Sequence, residues 1–484
     1  MLTRRNCLRT LAAAPLLGRA AQSRKPNFIV ILADDLGFGD LACYGHPRHE
    51  TPHLDRMARE GVKFTHFYTP MPFCAPTRAT LMTGRYPFRY GMTRNPAPDS
   101  GLNDFGLPAG EVTIAEALKP AGYATSCIGK WHLGHTPRFL PRTQGFDEYY
   151  GILYSNDMRP VQIVENERVA EYPAIQATLT RRYTERALNF MERNRSKPFF
   201  LYLPHAMPHK PLAASEDFYK PGTNTDLYAA AVKELDWSVG QILARLKTLG
   251  LDDDTLVLFT SDNGPWFGGN SGGLRGMKGR PWEGGVRVPL IARWPGRAKP
   301  GHETKEVAGI IDIFPTITSL AGVSPPPNPL DGRNILPLLT DTSAKTPHEA
   351  IFVTSGDKLA FVRSGKWKLH VQSPGADAMV ADRPDWVDPR APDGVTIIAP
   401  YEQARPSQYP GVSGGAKAKP MMLFDLDADP SEQRDVADAN PDVVERLKSH
   451  FDRMNAQVPV PPPVAPHRQL LRLKGGELRY DRVP

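Results

Sequence analysis

The sequence Asn-Phe-Ile-Val-Ile-Leu-Ala occupies residues 27–33, and the acidic pair Asp34-Asp35 follows it directly. A continuous apolar run of this length predicts a strand that is buried on both faces of a sheet. Two further runs, residues 198–203 and 255–260, have the same character. Because such strands are typical of parallel sheets covered by helices on both sides, these runs decide the fold class.

A helix is predicted between the runs at 198–203 and 255–260. Its apolar residues recur at alternating spacings of four and three, which places them on one face of a long amphipathic helix. These residues are Leu235, Val239, Ile242, Leu246 and Leu249. Gly250 follows them and is suited to ending the helix. Alternating helices and buried strands predict an α/β domain with a central, mainly parallel sheet over residues 25–345.

The pattern changes after about residue 340. Residues 350–353 and 359–371 predict short antiparallel strands, with a Ser-Gly turn at 364–365. Residues 374–420 are rich in Pro, Gly, Asp and Arg without any period, which predicts a long loop. An apolar stripe formed by Val443, Leu447, Phe451 and Met454 predicts one more helix. Residues 346–484 are therefore predicted to form a smaller α+β domain with an antiparallel sheet and a helix packed on it.

The first 21 residues have the order of an export signal. Arg4 and Arg5 precede an apolar stretch at residues 11–18, and Gly18 and Ala20 supply small residues for cleavage. The pattern resembles a twin-arginine signal, which predicts a bacterial protein exported to the periplasm or beyond; a solvated basic tail is the alternative. Elsewhere no apolar run reaches the roughly 20 residues of a membrane-spanning helix.

Net charge and cysteine content exclude several classes of protein. The formal charge of +7 falls to +3 without residues 1–20, which hold four arginines and no acid, and no basic run indicates nucleic-acid binding. The four cysteines are Cys7, Cys43, Cys74 and Cys127. Since Cys7 would leave with the signal, a disulfide framework is not expected. Cys43 and Cys127 are either buried thiols or one bridge.

Two polar pairs stand at the ends of predicted strands, namely Asp34-Asp35 and Asp262-Asn263. In open α/β sheets, ligands bind beyond the carboxyl ends of the strands. Four side chains with hard oxygen atoms suit Ca²⁺ or Mg²⁺ better than a soft-ligand zinc site. Either pair alone would be a solvated turn or a helix cap, whereas the two together predict a metal site.

A twelve-residue motif begins at Cys74. It reads Cys-Ala-Pro-Thr-Arg and continues Ala-Thr-Leu-Met-Thr-Gly-Arg to Arg85. This stretch resembles the signature of the type I sulfatases, Cys-x-Pro-Ser-Arg followed by Leu-Thr-Gly-Arg, of the arylsulfatase and N-acetylgalactosamine sulfatase kind. The sequence departs from that signature at Thr77, where serine is usual, but threonine keeps the hydroxyl.

The resemblance extends over nearly the whole chain after the signal. Further matching motifs are residues 34–40, 129–134, 208–209, 261–264, 276–287 and 423–430. Several motifs in the family's order are far more specific than any one of them. The resemblance implies an alkaline-phosphatase-like α/β sandwich and hydrolysis of sulfate esters of carbohydrates or aryl alcohols.

The resemblance also implies the reactive group and the metal. Cys74 would be oxidised to formylglycine by a separate maturation enzyme. Its hydrate would attack sulfur through one hydroxyl, and the other would let the adduct collapse and release sulfate. A divalent ion, calcium rather than magnesium, would be held by an oxygen of residue 74 and by four further side chains, namely Asp34, Asp35, Asp262 and Asn263.

The remaining roles implied by the resemblance concern protons and the sulfate group. His132 would take the proton of the hydrate as a general base, and His209 and Lys278 would protonate the leaving oxygen. Lys130 and Arg78 would hold the sulfate or the hydrate through charge-assisted hydrogen bonds. Lys130, His209 and Lys278 would contact the substrate together with Ser155.

Some alternatives remain open at this level. A phosphoric or phosphonic ester hydrolase of the same superfamily is one, although its two-zinc members carry histidine where Asn263 stands. A catalytically inactive glycan-binding relative is the other. His205 is expected to be structural. For Trp266, two positions are open alike, one lining the substrate pocket and one away from it. The loops at 156–180 and 374–420, where the motifs are silent, are expected to choose the substrate.

Overall fold

The computed structural model describes residues 24–96, 105–158, 161–220, 222, 226–379 and 405–459. The predicted export signal, Cys7 and the middle of the predicted loop 374–420 lie outside the described residues. Within the described part of the chain, no helix combines the length and the apolar character needed to cross a membrane.

Eleven described strands form one large sheet. They are β1 Asn27–Ala33, β2 Val62–Tyr68, β3 Ala124–Lys130, β4 Glu148–Ile152, β5 Ile163–Glu165, β6 Arg168–Glu171, β7 Phe199–Pro204, β8 Thr255–Ser261, β9 Arg287–Arg293, β10 His302–Thr304 and β11 Ala308–Gly309. Their order is β10-β2-β9-β8-β1-β7-β3-β4-β5-β6, and β11 pairs with β2. The five central strands β8, β1, β7, β3 and β4 are all parallel. The predicted central, mainly parallel sheet is therefore confirmed.

Nine helices accompany the strands in the described residues. They are α1 Pro52–Glu60, α2 Cys74–Thr83, α3 Ile114–Leu118, α4 Leu179–Arg193, α5 Leu227–Thr248, α6 Glu283–Val286, α7 Ile313–Ala321, α8 Leu336–Thr340 and α9 Pro441–Asn455. Helices α1, α4 and α5 cover one face of the large sheet, and α2, α3, α7 and α8 cover the other. Alternate residues of β1 enter these two cores, Ile29 on one side and Phe28 on the other, which explains its uninterrupted apolar sequence.

The helix predicted from the stripe at 235–249 is α5, and it is longer than the stripe. It begins at Leu227, where the side chain of Asp226 accepts a hydrogen bond from the backbone N–H of Tyr228. The first turns are rich in alanine, which favours a helix without extending the stripe. Gly250 has a φ of 66° and follows the helix as predicted.

The C-terminal part forms a second, four-stranded antiparallel sheet. Its strands are β12 Ile351–Ser355, β13 Lys358–Ser364, β14 Trp367–His370 and β15 Met422–Asp425, in that order. Leu447 and Phe451 of α9 pack on the sheet against Leu359 and Leu369. The predicted antiparallel sheet with a covering helix is therefore confirmed.

Two glycines face each other across β3 and β4, next to Lys130. Gly151 pairs with Gly129, and a Cβ atom on Gly151 would lie 1.9 Å from the Gly129 carbonyl oxygen. Because this contact is with backbone, we expect Gly151→Ala to lower the free energy of unfolding by ~3 kcal/mol. Chemical denaturation measures the change. Gly110→Ala, which adds a methyl group in open space, is the control; equal stability of the two variants would contradict the prediction.

Candidate active site

The predicted site residues meet at the carboxyl ends of the central strands. Asp34 and Asp35 follow β1, Asp262 and Asn263 follow β8, and Lys130 ends β3. His209 lies beyond β7, and Cys74 is the first residue of α2. Every predicted site residue is at least 92 % buried; the set is Asp34, Asp35, Cys74, Arg78, Lys130, His132, Ser155, His209, Asp262, Asn263 and Lys278.

The acidic pair after β1 forms the centre of the site. The two carboxylates point to different partners: Asp34 pairs with Lys130, whereas Asp35 pairs with Lys278 at 2.7 Å. Asn263 donates a hydrogen bond from Nδ2 to Asp35 Oδ1 at 2.7 Å. Asp35 has a φ of 62°, a left-handed conformation that is uncommon for a residue other than glycine and that concentrates at functional sites.

Helix α2 explains the spacing of the Cys74 motif. Its first residue places Sγ 3.5 Å from Asp34 Oδ1. One helical turn later, Arg78 donates from Nε and Nη2 to Asp262 Oδ2 at 2.9 and 2.7 Å, and from Nη1 to the Lys130 carbonyl at 2.7 Å. The Thr77 hydroxyl donates to the Met71 carbonyl at 3.2 Å, and serine could make the same bond.

Three carboxylates and three cations share this buried space. The carboxylates belong to Asp34, Asp35 and Asp262, and the cations to Arg78, Lys130 and Lys278. Buried charges of one sign are costly unless they are paired, and here each cation contacts at least one of the carboxylates. The positive end of the α2 dipole adds to this field at Cys74 and favours an anionic ligand there.

His132 is completely buried and has a φ of 62°. Neither of its ring nitrogens makes a hydrogen bond of normal geometry within the described residues, although the Pro96 carbonyl is close enough to favour the protonated ring slightly. Burial and the neighbouring charges of Lys130 and Arg78 lower the pKa of His132 well below its ordinary value. The ring is therefore neutral at neutral pH and can accept a proton.

His209 is oriented by residues that the motifs did not reveal. Its Nδ1 donates to Asn156 Oδ1 at 2.9 Å and to the Lys210 carbonyl at 2.5 Å, so Nε2 faces the site, 3.6 Å from Asp35 Oδ2. Asn156 is held in turn by Gln176, which donates to the Asn156 carbonyl at 2.7 Å. Sequence reasoning missed Asn156 and Gln176, and the adjacency of Asn156 to Ser155 was the one available signal.

Ser155 lies between two predicted substrate ligands. Its Oγ accepts a hydrogen bond from Lys130 Nζ at 3.0 Å and lies 3.4 Å from the ring nitrogens of His209. Burial and the charges of Lys278 and Lys130 lower the pKa of His209 well below its ordinary value. Burial alone would lower the pKa of Lys278 too, but the surrounding acidic groups, Asp35 foremost, together outweigh burial and raise it well above its ordinary value. The site therefore combines two neutral imidazoles with charged ammonium groups.

The donor atoms at this point fit a hard divalent cation. Asp34, Asp35, Cys74 and His209 each place one potential ligand atom within 4.8 Å of the others. Asn263 Oδ1 is buried and has no hydrogen-bond partner among the described residues, as expected of an oxygen that is reserved for a ligand. Asp262 Oδ1 accepts a hydrogen bond from the Asp35 N–H at 3.2 Å and borders the same space. Oxygen donors of this kind are typical of Ca²⁺ and Mg²⁺ sites.

The order of these residues along the chain, together with their convergence at one edge of the sheet, can be compared with known families. Residues 26–323 match the family model described as sulfatase, and residues 346–471 match the C-terminal region of aryl-sulfatase. The chain belongs to the sulfatase family. Its membership makes the protein a sulfuric ester hydrolase of the arylsulfatase type, as the Cys74 motif predicted.

Curated relatives of this sulfatase cover most of its length. Human arylsulfatase A is 37 % identical over 91 % of this chain and 89 % of its own. N-acetylgalactosamine-6-sulfatase from Canis lupus familiaris is 40 % identical over 75 % of this chain and 74 % of its own. The solved structure of Ps i-CgsB in complex with k-i-k-neocarrahexaose has a TM-score of 0.73 and 29 % identity, covering 90 % of this chain and 94 % of that one. The predicted alkaline-phosphatase-like fold is confirmed.

Other candidate residues of the sulfatase lie apart from the central cluster or serve the fold. His205 is buried, with Nε2 3.2 Å from Ser238 Oγ, as expected of a structural histidine. Trp266 is half-buried, and the Lys210 ammonium lies 4.9 Å from its ring centroid. Cys43 and Cys127 are unpaired thiols, and only Cys127 is fully buried.

Asp40, His46 and His49 form a second group of potential metal ligands. Their hydrogen bonds to neighbouring residues support the loop. Asp40 Oδ2 accepts hydrogen bonds from the Gly37 N–H and the Tyr228 hydroxyl, both at 2.6 Å. The His46 Nδ1 accepts from the backbone N–H of His49 at 2.8 Å, which leaves the proton of the neutral ring on Nε2. With its Nδ1 lone pair engaged and Nε2 protonated, neutral His46 has no free lone pair for a metal, so we assign the cluster a structural role.

Proposed function

We propose that the protein hydrolyses sulfate esters through a formylglycine formed from Cys74, beside one divalent cation. The observation that carries this proposal is the position of Cys74. Its sulfur lies where a side-chain oxygen of the modified residue would stand, 3.5 Å from Asp34 Oδ1 and at the N-terminus of α2. The aldehyde, as its hydrate, would supply a nucleophilic hydroxyl that the encoded thiol lacks.

We propose that the cation is held by Asp34, Asp35, Asp262 and Asn263, with an oxygen of residue 74, and that it is calcium. When bound, it would supply Lewis acidity to a sulfate oxygen and fix the orientation of the ester. The unpartnered Asn263 Oδ1 and the hard-oxygen donor set support this assignment. Arg78 donates hydrogen bonds to the Asp262 carboxylate and to the Lys130 carbonyl. In this proposal it therefore fixes the position of Asp262 beside residue 74.

Proton transfer is assigned to the two neutral imidazoles and to Lys278. The pKa of His132 is lowered by burial and by the charges of Lys130 and Arg78, so its ring is neutral and can accept the proton of the hydroxyl on residue 74. Lys278 carries a proton that it can donate to the leaving oxygen. Asn156 fixes Nδ1 of His209 as the donor nitrogen, so Nε2 faces the same space without a proton and must accept one before it can pass one to the leaving oxygen. Lys130 and Ser155 are assigned to hold the sulfate.

We propose sulfated carbohydrates or aryl sulfates as the substrates. The structural relative in complex with a neocarrahexaose supports a glycan, and the names of the curated relatives support both classes. We further propose that residues 25–345 form the catalytic domain and residues 346–484 a smaller domain. In this proposal residues 1–21 are a twin-arginine signal for export to the periplasm or beyond.

Turnover of an aryl sulfate and of the matched aryl phosphate tests the reaction class. We expect kcat/KM to favour the sulfate by a factor on the order of 10² or more. The reason is that the site offers one cation position, whereas a two-metal site clamps both the attacking and the leaving oxygens of a phosphoryl group. The control is the same pair of assays on Cys74→Ala protein, which reports contaminating hydrolases. Dominant phosphatase activity that depends on Cys74 would overturn the proposal.

A further inference from the structure

Lys278 lies on the segment formed by residues 275–283, which is bonded both to the active-site side and to the C-terminal part of the chain. Towards the active site, its own N–H donates to the Pro265 carbonyl at 3.1 Å, and the Gly279 N–H donates to the Pro72 carbonyl at 2.9 Å. Its ammonium group reaches Asp35. Several other groups of residues 275–283 contact the C-terminal part of the chain, so the position of this lysine depends on both parts.

The C-terminal part contacts the segment along most of its length. Arg275 donates from Nη1 to the Glu432 carbonyl at 2.9 Å, and the Gly276 N–H donates to the Tyr409 hydroxyl at 3.1 Å. The Pro281 carbonyl accepts from Lys368 Nζ at 3.2 Å. The Arg275 guanidinium also stacks on the Trp282 ring at 3.7 Å, which closes the segment on itself.

Glu432 joins the two ends of this segment. Its carbonyl receives Arg275 at the beginning, and its carboxylate accepts a hydrogen bond from the Glu283 N–H at 2.6 Å at the end. The same carboxylate lies 2.9 Å from Lys368 Nζ and 2.7 Å from His370 Nε2. Glu432 has a φ of 53°, so the backbone itself adopts an unfavourable conformation to make these contacts.

Lys368 supplies the positive charge that pairs with both Glu283 and Glu432. Its ammonium contacts the carboxylates of Glu283 at 3.0 Å and of Glu432 at 2.9 Å, and all three side chains are inaccessible to solvent. Burial alone would raise the pKa of Glu432, but Lys368 and His370 outweigh burial and lower it to about 2. Without the lysine, the buried carboxylates of Glu283 and Glu432 would lose the cation that both of them contact, which is strongly unfavourable.

We propose that Lys368 and Glu432 are positioning residues for Lys278: they set the path of residues 275–283 and so place its ammonium group at the reacting centre. This inference rests on the proposed function, in which Lys278 assists the leaving oxygen. It gives the C-terminal sheet a part in the reaction that does not require any of its side chains to contact the substrate.

The test is Lys368→Met, which keeps the length of the side chain and removes its charge. We expect kcat to fall between about tenfold and a hundredfold, because a displacement of about 1 Å at a catalytic group has an effect of this size. The loss should be larger for an alkyl or sugar sulfate than for 4-nitrophenyl sulfate, since a poor leaving group needs more help from Lys278. The matched control is Lys366→Met, two residues before Lys368 in the sequence. It removes the ion pair between Lys366 and Asp425 and should leave kcat unchanged.

The double variant Lys278→Ala/Lys368→Met separates positioning from general destabilisation. If Lys368 acts through Lys278, the double variant should be no slower than Lys278→Ala alone. Additive losses, or an equal loss for both leaving groups, would overturn the inference. If Lys278→Ala itself were fully active, the assigned role of Lys278 would be wrong instead.

Glu432→Gln provides a second route if the methionine variant does not fold. It keeps an acceptor for the Glu283 N–H and the shape of the side chain, and it removes one negative charge. The melting temperature of each variant shows whether it is folded at the assay temperature. We expect the same dependence on the leaving group as for Lys368→Met, and a folded glutamine variant without that dependence would contradict the proposal.

Discussion

Cys74→Ala is expected to lower kcat/KM for sulfate esters by a factor on the order of 10⁵, the size of effect seen when a covalent nucleophile is removed. Alanine cannot be converted to an aldehyde and so offers no hydroxyl to attack sulfur. The cations around it would still bind the sulfate group, because Lys130 and Lys278 do not depend on the Cys74 side chain for their main contacts. We therefore expect a much smaller change in the affinity for inorganic sulfate than in turnover.

The matched control for this prediction is Cys43→Ala. Cys43 is also an unpaired cysteine, but it is half-buried and its backbone carbonyl accepts from Lys63, away from Asp34. We expect this variant to retain wild-type turnover. Mass spectrometry of the peptide that contains residue 74 should show the aldehyde in wild-type protein from a host with the maturation enzyme. Fully active protein with only the thiol at residue 74 would refute the mechanism.

Removal of the divalent cation is expected to lower kcat/KM about 10³-fold or more, because the Lewis acid and the fixed orientation of the ester are lost together. Dialysis against a chelator, followed by titration with Ca²⁺ or Mg²⁺, measures the effect. Calcium should restore activity at lower concentration than magnesium. It should also raise the melting temperature, since an ion that binds only the folded state stabilises it.

Asp35→Asn tests the same cation site by changing a proposed ligand instead of removing the metal. The substitution keeps the shape of the side chain but removes a negative charge that pairs with Lys278 and that we assign to the cation. We expect the metal content to fall below one ion per chain and turnover to fall with it. Asp253→Asn is the control, because Asp253 is exposed and lies just before β8, at the end opposite Asp262. Full metal content in Asp35→Asn would exclude Asp35 as a ligand.

That most of the candidate site residues come together could be predicted from the sequence, because they lie at the ends of strands that are easy to recognise. Asp34 and Asp262 each follow an uninterrupted apolar run, and strands β1 and β8 are neighbours with parallel register. Parallel strands end at the same edge, so the two pairs had to meet. The turn of helix between Cys74 and Arg78 likewise follows from a spacing of four residues.

The supporting residues could not be predicted in this way. Asn156 contacts His209 across 53 positions of sequence, and Lys368 contacts Glu283 across 85. Neither contact follows from a period, a turn or a strand end. Both depend on which loops the tertiary structure brings together. Side chains that orient a catalytic group are therefore the part of a site that needs the folded structure.

Helix α2 is buried from Cys74 to Thr83, and the Cys74 side chain is 99 % inaccessible. An enzyme that oxidises this residue can reach it only before the chain has closed around the helix. In the proposed mechanism, folding and oxidation would therefore compete during biosynthesis, and a molecule that folded first would remain inactive. On an export route that carries folded chains, the fraction of working molecules would already be fixed in the cytoplasm, before the first substrate is met.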